Sequence, residues 1–126
     1  MIPSLPLTAS PDDRAAHYRE VIAAICATLE EEPDWVAAMA TVACELHHAF
    51  GWFHWTGFYR VTAPEQLTVG PYQGGHGCLR IQFSRGVCGA AARTRQTEAR
   101  DAEREAARRA QQEASRAQDL TEMLAR

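Results

Sequence analysis

Phe53-His54-Trp55-Thr56-Gly57-Phe58-Tyr59-Arg60-Val61 decides the fold, because here the chain turns dense in aromatic and β-branched residues. Such side chains fit a pleated, half-buried surface, so the stretch is expected to be a β-strand. Ala63-Pro64-Glu65-Gln66 then supplies a turn and Leu67-Thr68-Val69-Gly70 a returning strand, which makes a hairpin. Cys78-Leu79-Arg80-Ile81-Gln82-Phe83 alternates and is expected as a third short strand. Between these, Gly70-Pro71-Tyr72-Gln73-Gly74-Gly75-His76-Gly77 reads as a glycine-rich loop whose backbone approaches something closely. Gly86-Val87-Cys88-Gly89-Ala90-Ala91-Ala92 passes from loop into helix.

Working back toward the N-terminus, two helices precede the strand. Ser10 can cap the first, Pro11 suits its first position, and Asp12 and Asp13 favour the positive end of its dipole. Tyr18, Val21, Ile22, Ile25, Cys26 and Leu29 recur at helical spacing, and Glu30-Glu31-Glu32-Pro33 ends the pattern. Asp34 caps the second helix, whose apolar stripe is Trp35, Met39, Val42, Ala43, Leu46 and Phe50, with Gly51 ending it. Cys26 and Cys44 sit on these stripes and are expected as small core residues.

Working forward, the composition changes sharply near Thr94. From Gln96 onward there is no Gly, no Pro and no aromatic residue, and Ala, Arg, Glu, Gln and Asp dominate. Ala99, Ala102, Ala106, Ala110, Ala114 and Ala117 lead into Leu120 and Leu124 at helical spacing, and Glu105–Arg109 has the favoured i,i+4 order. An alanine stripe buries little area and is no proper heptad seam, so a solvated helix is expected. Residues 1–95 are therefore expected as one folded part and 96–126 as a charged helical tail. The fold class is α+β: two N-terminal helices packed on a short, incomplete antiparallel sheet, then a long charged C-terminal helix.

Neither nucleic acid nor a membrane is expected as a partner. The net charge of −3 points to no partner class, and no apolar run reaches the length of a membrane span. The opening Met-Ile-Pro-Ser-Leu-Pro-Leu has no basic region and no long apolar run, so a cytoplasmic location is expected. The four cysteines, Cys26, Cys44, Cys78 and Cys88, form no C-x-x-C pair and complete no zinc-ligand set with histidine. No bound metal or cofactor is expected.

Three neighbouring features carry the chemistry. Trp55, Gly57 and Tyr59 share one face of a strand, so two rings with only a glycine between them can wall a pocket. The glycine-rich segment offers close backbone approach. Cys78 begins a strand and Cys88 lies near a helix start, with Arg80 and Arg85 adding positive charge, a setting that favours thiolate.

Trp55-Thr56-Gly57-Phe58-Tyr59, Gly70-Pro71-Tyr72-Gln73-Gly74, Cys78-Leu79-Arg80-Ile81 and Arg85-Gly86-Val87-Cys88-Gly89 together resemble, in order and spacing, the free methionine-(R)-sulfoxide reductases. These are GAF-domain enzymes, and the resemblance covers about Tyr18–Thr94. It implies that Trp55 and Tyr59 line the pocket for free methionine-(R)-sulfoxide, that Cys78 is the resolving cysteine and that Cys88 is an auxiliary one. It implies thioredoxin as the reductant.

The departures from the pattern carry equal weight. In that family a Gly-His-Ile-Ala-Cys-Asp segment follows, bearing the attacking cysteine, and then a Ser-Glu-Ile-Val-type strand bearing a carboxylate for the substrate's amino group. This sequence has no cysteine after Cys88, and Glu98, Asp101, Glu103 and Glu105 lie in an alanine-rich helical context. The expectation is an impaired reductase on a truncated GAF domain, with a non-catalytic binding or interaction module as the alternative. An incomplete sheet leaves the Trp55 strand with an open edge, so a homodimer is a further option, through that edge or through the tail.

Overall fold

The computed structural model describes the backbone of residues 2–98 and 101–125, and the side chains of 2–98 and 107–125. The chain divides into two compact units, Met1–Gln82 and Phe83–Arg126. The first contains α1 (Pro11–Thr28), α2 (Trp35–Ala49), β1 (Trp55–Ala63), β2 (Gln66–Gly74) and β3 (Arg80–Gln82); the second contains α3 (Gly86–Thr94) and α4 (Asp101–Leu124).

Both N-terminal helices start on the caps the sequence offers. The Ser10 hydroxyl accepts the Asp13 N–H at 3.1 Å. Asp34 Oδ1 accepts the Ala37 N–H at 2.7 Å, and the Asp34 N–H in turn donates to Glu32 Oε1. Replacing the cap by Asp34→Ala is expected to cost about 1 kcal/mol and to lower the melting midpoint by about 4–8 °C, checked by thermal circular dichroism.

Where α2 ends, the chain opens into extended backbone at Phe50, and an N-terminal strap closes over this corner. The Leu5 N–H donates to the Ala49 carbonyl at 2.9 Å and the Gly51 N–H to the Leu5 carbonyl at 3.0 Å, a short parallel bridge between Leu5 and Phe50. Phe50, only 1 % exposed, is the centre of the core with Val21 and Ala49. It stacks on Tyr18 at 4.2 Å between ring centroids and meets Trp52 and Phe53 at 5.2 and 5.1 Å.

The helical stripes are wider in sequence than the core they feed. Val21 is fully buried and Ile25 packs beside it, whereas Ile22 and Cys26 are exposed. Trp35, at the first position of α2, is 81 % exposed, while Ala43 is buried and Leu46 packs against the core. Cys44 is half-buried. Placing Cys26 and Trp35 in the core is thus overturned. Periodicity marks a face, but a side chain is buried only where another element covers it, here around the Phe50 corner and where α2 packs on the sheet over Ala43 and Leu67.

The sheet has the order β1-β2-β3 with both pairings antiparallel, and it is not closed. α2 packs on β1 and β2, and α1 packs on α2, which makes this unit α+β. β1 starts at Trp55, two residues later than expected, because Phe53 still belongs to the corner: its N–H reaches the Phe50 carbonyl. β2 overturns the loop reading of residues 70–74, since it runs through them to Gly74. The register explains how it can: Tyr59 pairs with Val69 but Gly57 with Tyr72, so β2 holds one extra residue at Gly70–Pro71. Proline lacks an N–H and is tolerated at such a bulge. Only residues after Gly74 form the loop, and β3 shrinks to Arg80–Gln82.

In the second unit, α3 ends on Arg95 in left-handed backbone, with its N–H on the Ala91 carbonyl. An Arg93 guanidinium N–H donates to the Phe83 carbonyl. α4 is helical as expected, and its described side chains, Leu120, Met123 and Leu124 among them, are exposed. Ala99, Ala102, Glu105 and Ala106 lie outside the described side chains, and with Glu105 the expected pair to Arg109 does too.

Candidate functional site

Thr56 turns toward α2, its hydroxyl 3.3 Å from His47 Nδ1. Side-chain alternation therefore sets Trp55, Gly57 and Tyr59 on the sheet face away from that helix. The Trp55 ring stacks on Tyr59 at 5.7 Å and 23°, and on Tyr72 at 5.4 Å and 20°. Tyr72 arrives there because it pairs directly with Gly57 across the two strands. A Cβ at residue 57 would stand 2.3 Å from Tyr72 Cβ and 2.8 Å from the far edge of the indole. Only glycine lets the two aromatic residues close over this position.

The segment leading to Cys78 is fastened to the same wall. A Cβ at Gly77 would lie 3.0 Å from the Tyr59 hydroxyl and 3.4 Å from Trp55 Nε1, so this backbone rests directly over both rings. The Tyr59 hydroxyl donates to the Cys78 carbonyl at 2.9 Å. Cys78 is thereby held at the rim of the aromatic wall and is exposed. Beneath it, Trp55 Nε1 is buried and meets no hydrogen-bond acceptor among the described residues. Leaving such a donor unsatisfied costs about 1–3 kcal/mol, so its retention needs an explanation.

Of the four residues singled out from sequence, Trp55, Tyr59 and Cys78 are thus brought together in the first unit. Cys88 stands in the second unit, in the first turn of α3, and is exposed. All four cysteines are free thiols. Tyr72 escaped the sequence reading, which treated Gly70–Gly74 as loop; its signal was the proline, which marks a bulge as readily as a strand's end. Among the described residues no cluster of His, Cys, Asp and Glu could hold a metal ion, and no helix is long and apolar enough to cross a membrane.

No protein-family profile matches the chain. It is 38% identical over 80 residues to the protein YtsP of Bacillus subtilis (strain 168), an overlap of 63% of this chain and 49% of that one. It is 38% identical over 71 residues to the free methionine-R-sulfoxide reductase of Saccharomyces cerevisiae, covering 52% of this chain and 39% of the yeast protein. Among solved structures, a putative GAF sensor protein from Burkholderia vietnamiensis superposes with a TM-score of 0.63 at 38% identity, over 70% of this chain and 53% of the other. The free methionine-R-sulfoxide reductase of Neisseria meningitidis, solved in complex with its substrate, superposes with a TM-score of 0.59 at 42% identity, over 72% and 53%. The chain spans about half, or less, of the length of these relatives. In the stretch that aligns, this chain has the N-terminal part of a GAF fold and is similar there to free methionine-R-sulfoxide reductases.

Proposed function

We propose that this chain is a free methionine-(R)-sulfoxide reductase-type protein whose first unit holds the substrate's sulfoxide end against Trp55, Tyr59 and Tyr72. The observation that carries the reading is the Trp55 indole N–H, a buried donor without an acceptor at the heart of an aromatic wall. A methyl sulfoxide suits both parts: its sulfur and methyl group pack on aromatic rings, and its oxygen is a strong acceptor. Reaching the N–H would require the Gly75–Gly77 segment to lift, and Gly75 has nothing within 4 Å of a Cβ position to hold it down.

The reaction is thiol-based. A thiolate attacks the sulfoxide sulfur, the oxygen passes to the cysteine as a sulfenic acid, and methionine leaves. A second thiol then condenses with the sulfenic acid, forming a disulfide and releasing water. Reduced thioredoxin returns both thiols and becomes oxidised itself, in the cytoplasm. These 126 residues contain no thiol after Cys88, so the attacking role falls to Cys78, already at the rim of the wall, or to Cys88. Turnover is accordingly impaired.

NADPH consumption in the presence of thioredoxin, thioredoxin reductase and free methionine-(R)-sulfoxide tests this reading. The expected result is a slow rate above the protein-free control that Cys78→Ser removes. A rate equal to the control would leave the second reading, a GAF module that binds without turnover, which the missing third thiol favours.

A further inference from the structure

The aromatic wall stands on a weakly supported part of the hairpin. Its residues lie at the Trp55–Gly57 end of β1, which pairs with Tyr72–Gly74 of β2 beyond the bulge at Gly70–Pro71. β3 joins β2 at Gln66–Thr68, the opposite end of the hairpin. Of the three pairs at the wall, Trp55–Gly74 and Gly57–Tyr72 each contain a glycine, whose backbone is the costliest to hold in a strand. Thr56–Gln73 is the pair with side chains on both members. Thr56 is also tied to α2: its hydroxyl lies 3.3 Å from Nδ1 of His47, in the last turn of that helix, and the contact is half-buried.

We propose that His47 is a positioning residue of this wall, acting on Trp55 through Thr56; for its effect on a ligand, the inference rests on the reading of the Trp55 N–H given above. A β-branched side chain is stiff about χ1, so fixing the Thr56 hydroxyl fixes the backbone that carries it. Strand alternation then sets the direction in which the neighbouring residues point, and Trp55 is one of them. The indole has little tolerance for a change of direction. It stacks on Tyr59 at 5.7 Å and on Tyr72 at 5.4 Å, and its Nε1 lies 3.4 Å from the position a Gly77 Cβ would take. A hydroxyl both donates and accepts, so Thr56 serves either tautomer of the His47 imidazole.

Solvent exchange of the indole N–H protons, followed by magnetic resonance on the isotope-labelled full chain, tests the assignment without a ligand. The Trp55 signal is identified by its loss in Trp55→Phe, and Trp52, packed on Phe50, is the internal reference. His47→Ala is expected to speed exchange at Trp55 about fivefold and to leave Trp52 unchanged, the size of effect that one hydrogen bond has on a local opening. Thr56→Val, which keeps the branched shape, is expected to do the same. The double variant should exchange no faster than either single one, and Thr56→Ser should stay close to the wild-type rate. Titrated with free methionine-(R)-sulfoxide, His47→Ala and Thr56→Val should bind about fivefold more weakly than wild type. Unchanged exchange at Trp55 in both single variants would overturn the proposal. So would equal acceleration at Trp52, the mark of a general loss of stability. Binding by none of these proteins would overturn the ligand reading alone, because the exchange rates decide the positioning by themselves.

Discussion

Phe50→Ala is expected to cost the first unit about 4 kcal/mol, the largest single-site loss in the chain. Phe50 is almost fully buried and touches the rings of His17, Tyr18, Trp52 and Phe53, which come from α1 and from the corner after α2. Truncation would remove the transfer energy of one phenyl group and leave a cavity that four further rings cannot all collapse into. A unit of this size has a total stability of about 4–12 kcal/mol, so the variant would be partly unfolded at room temperature. Urea denaturation followed by circular dichroism measures it. An unfolding free energy within about 10–15% of wild type, the precision of the extrapolation to water, would show that the core lies elsewhere.

Gly57→Ala is expected to cost about 3 kcal/mol, nearly as much, although it adds a single methyl group. That methyl would fall 2.3 Å from Tyr72 Cβ and 2.9 Å from Tyr72 Cα, so β1 and β2 would have to part. A flexible side chain could swing away; backbone cannot. Gly75→Ala is the matched control, since nothing lies within 4 Å of its Cβ position, and its cost should stay below about 0.5 kcal/mol. Equal denaturation midpoints for the two variants would contradict the close pairing of Gly57 with Tyr72.

The same two residues show what was legible in the sequence. Gly57 stood between two aromatic residues at period two, and the wall formed by Trp55 and Tyr59 follows from strand alternation alone. Tyr72 did not, because its strand passes through Gly70 and Pro71 at a bulge, where local composition mimics a loop. Both helix caps were readable because capping is local chemistry: Ser10 and Asp34 bond within three residues of themselves. Burial was less readable, since Trp35 and Cys26 depend on which distant elements cover them. The strap at Leu5 carried no periodic signal, being held by two backbone hydrogen bonds to Ala49 and Gly51. The tail's helicity was plain from propensity, which needs no tertiary partner to be read.

If the Trp55 N–H serves a ligand, Trp55→Phe isolates that role by keeping an aromatic ring while removing the donor. Removing an unsatisfied buried donor should leave the free protein at least as stable as wild type, apart from the smaller ring. Calorimetric titration with free methionine-(R)-sulfoxide is then the most direct measurement. Saturable binding by the wild type and affinity about tenfold weaker in Trp55→Phe, the loss of about 1.4 kcal/mol for one hydrogen bond, is the expected result. Equal affinities for the two proteins, or no binding by either at millimolar ligand, would contradict it.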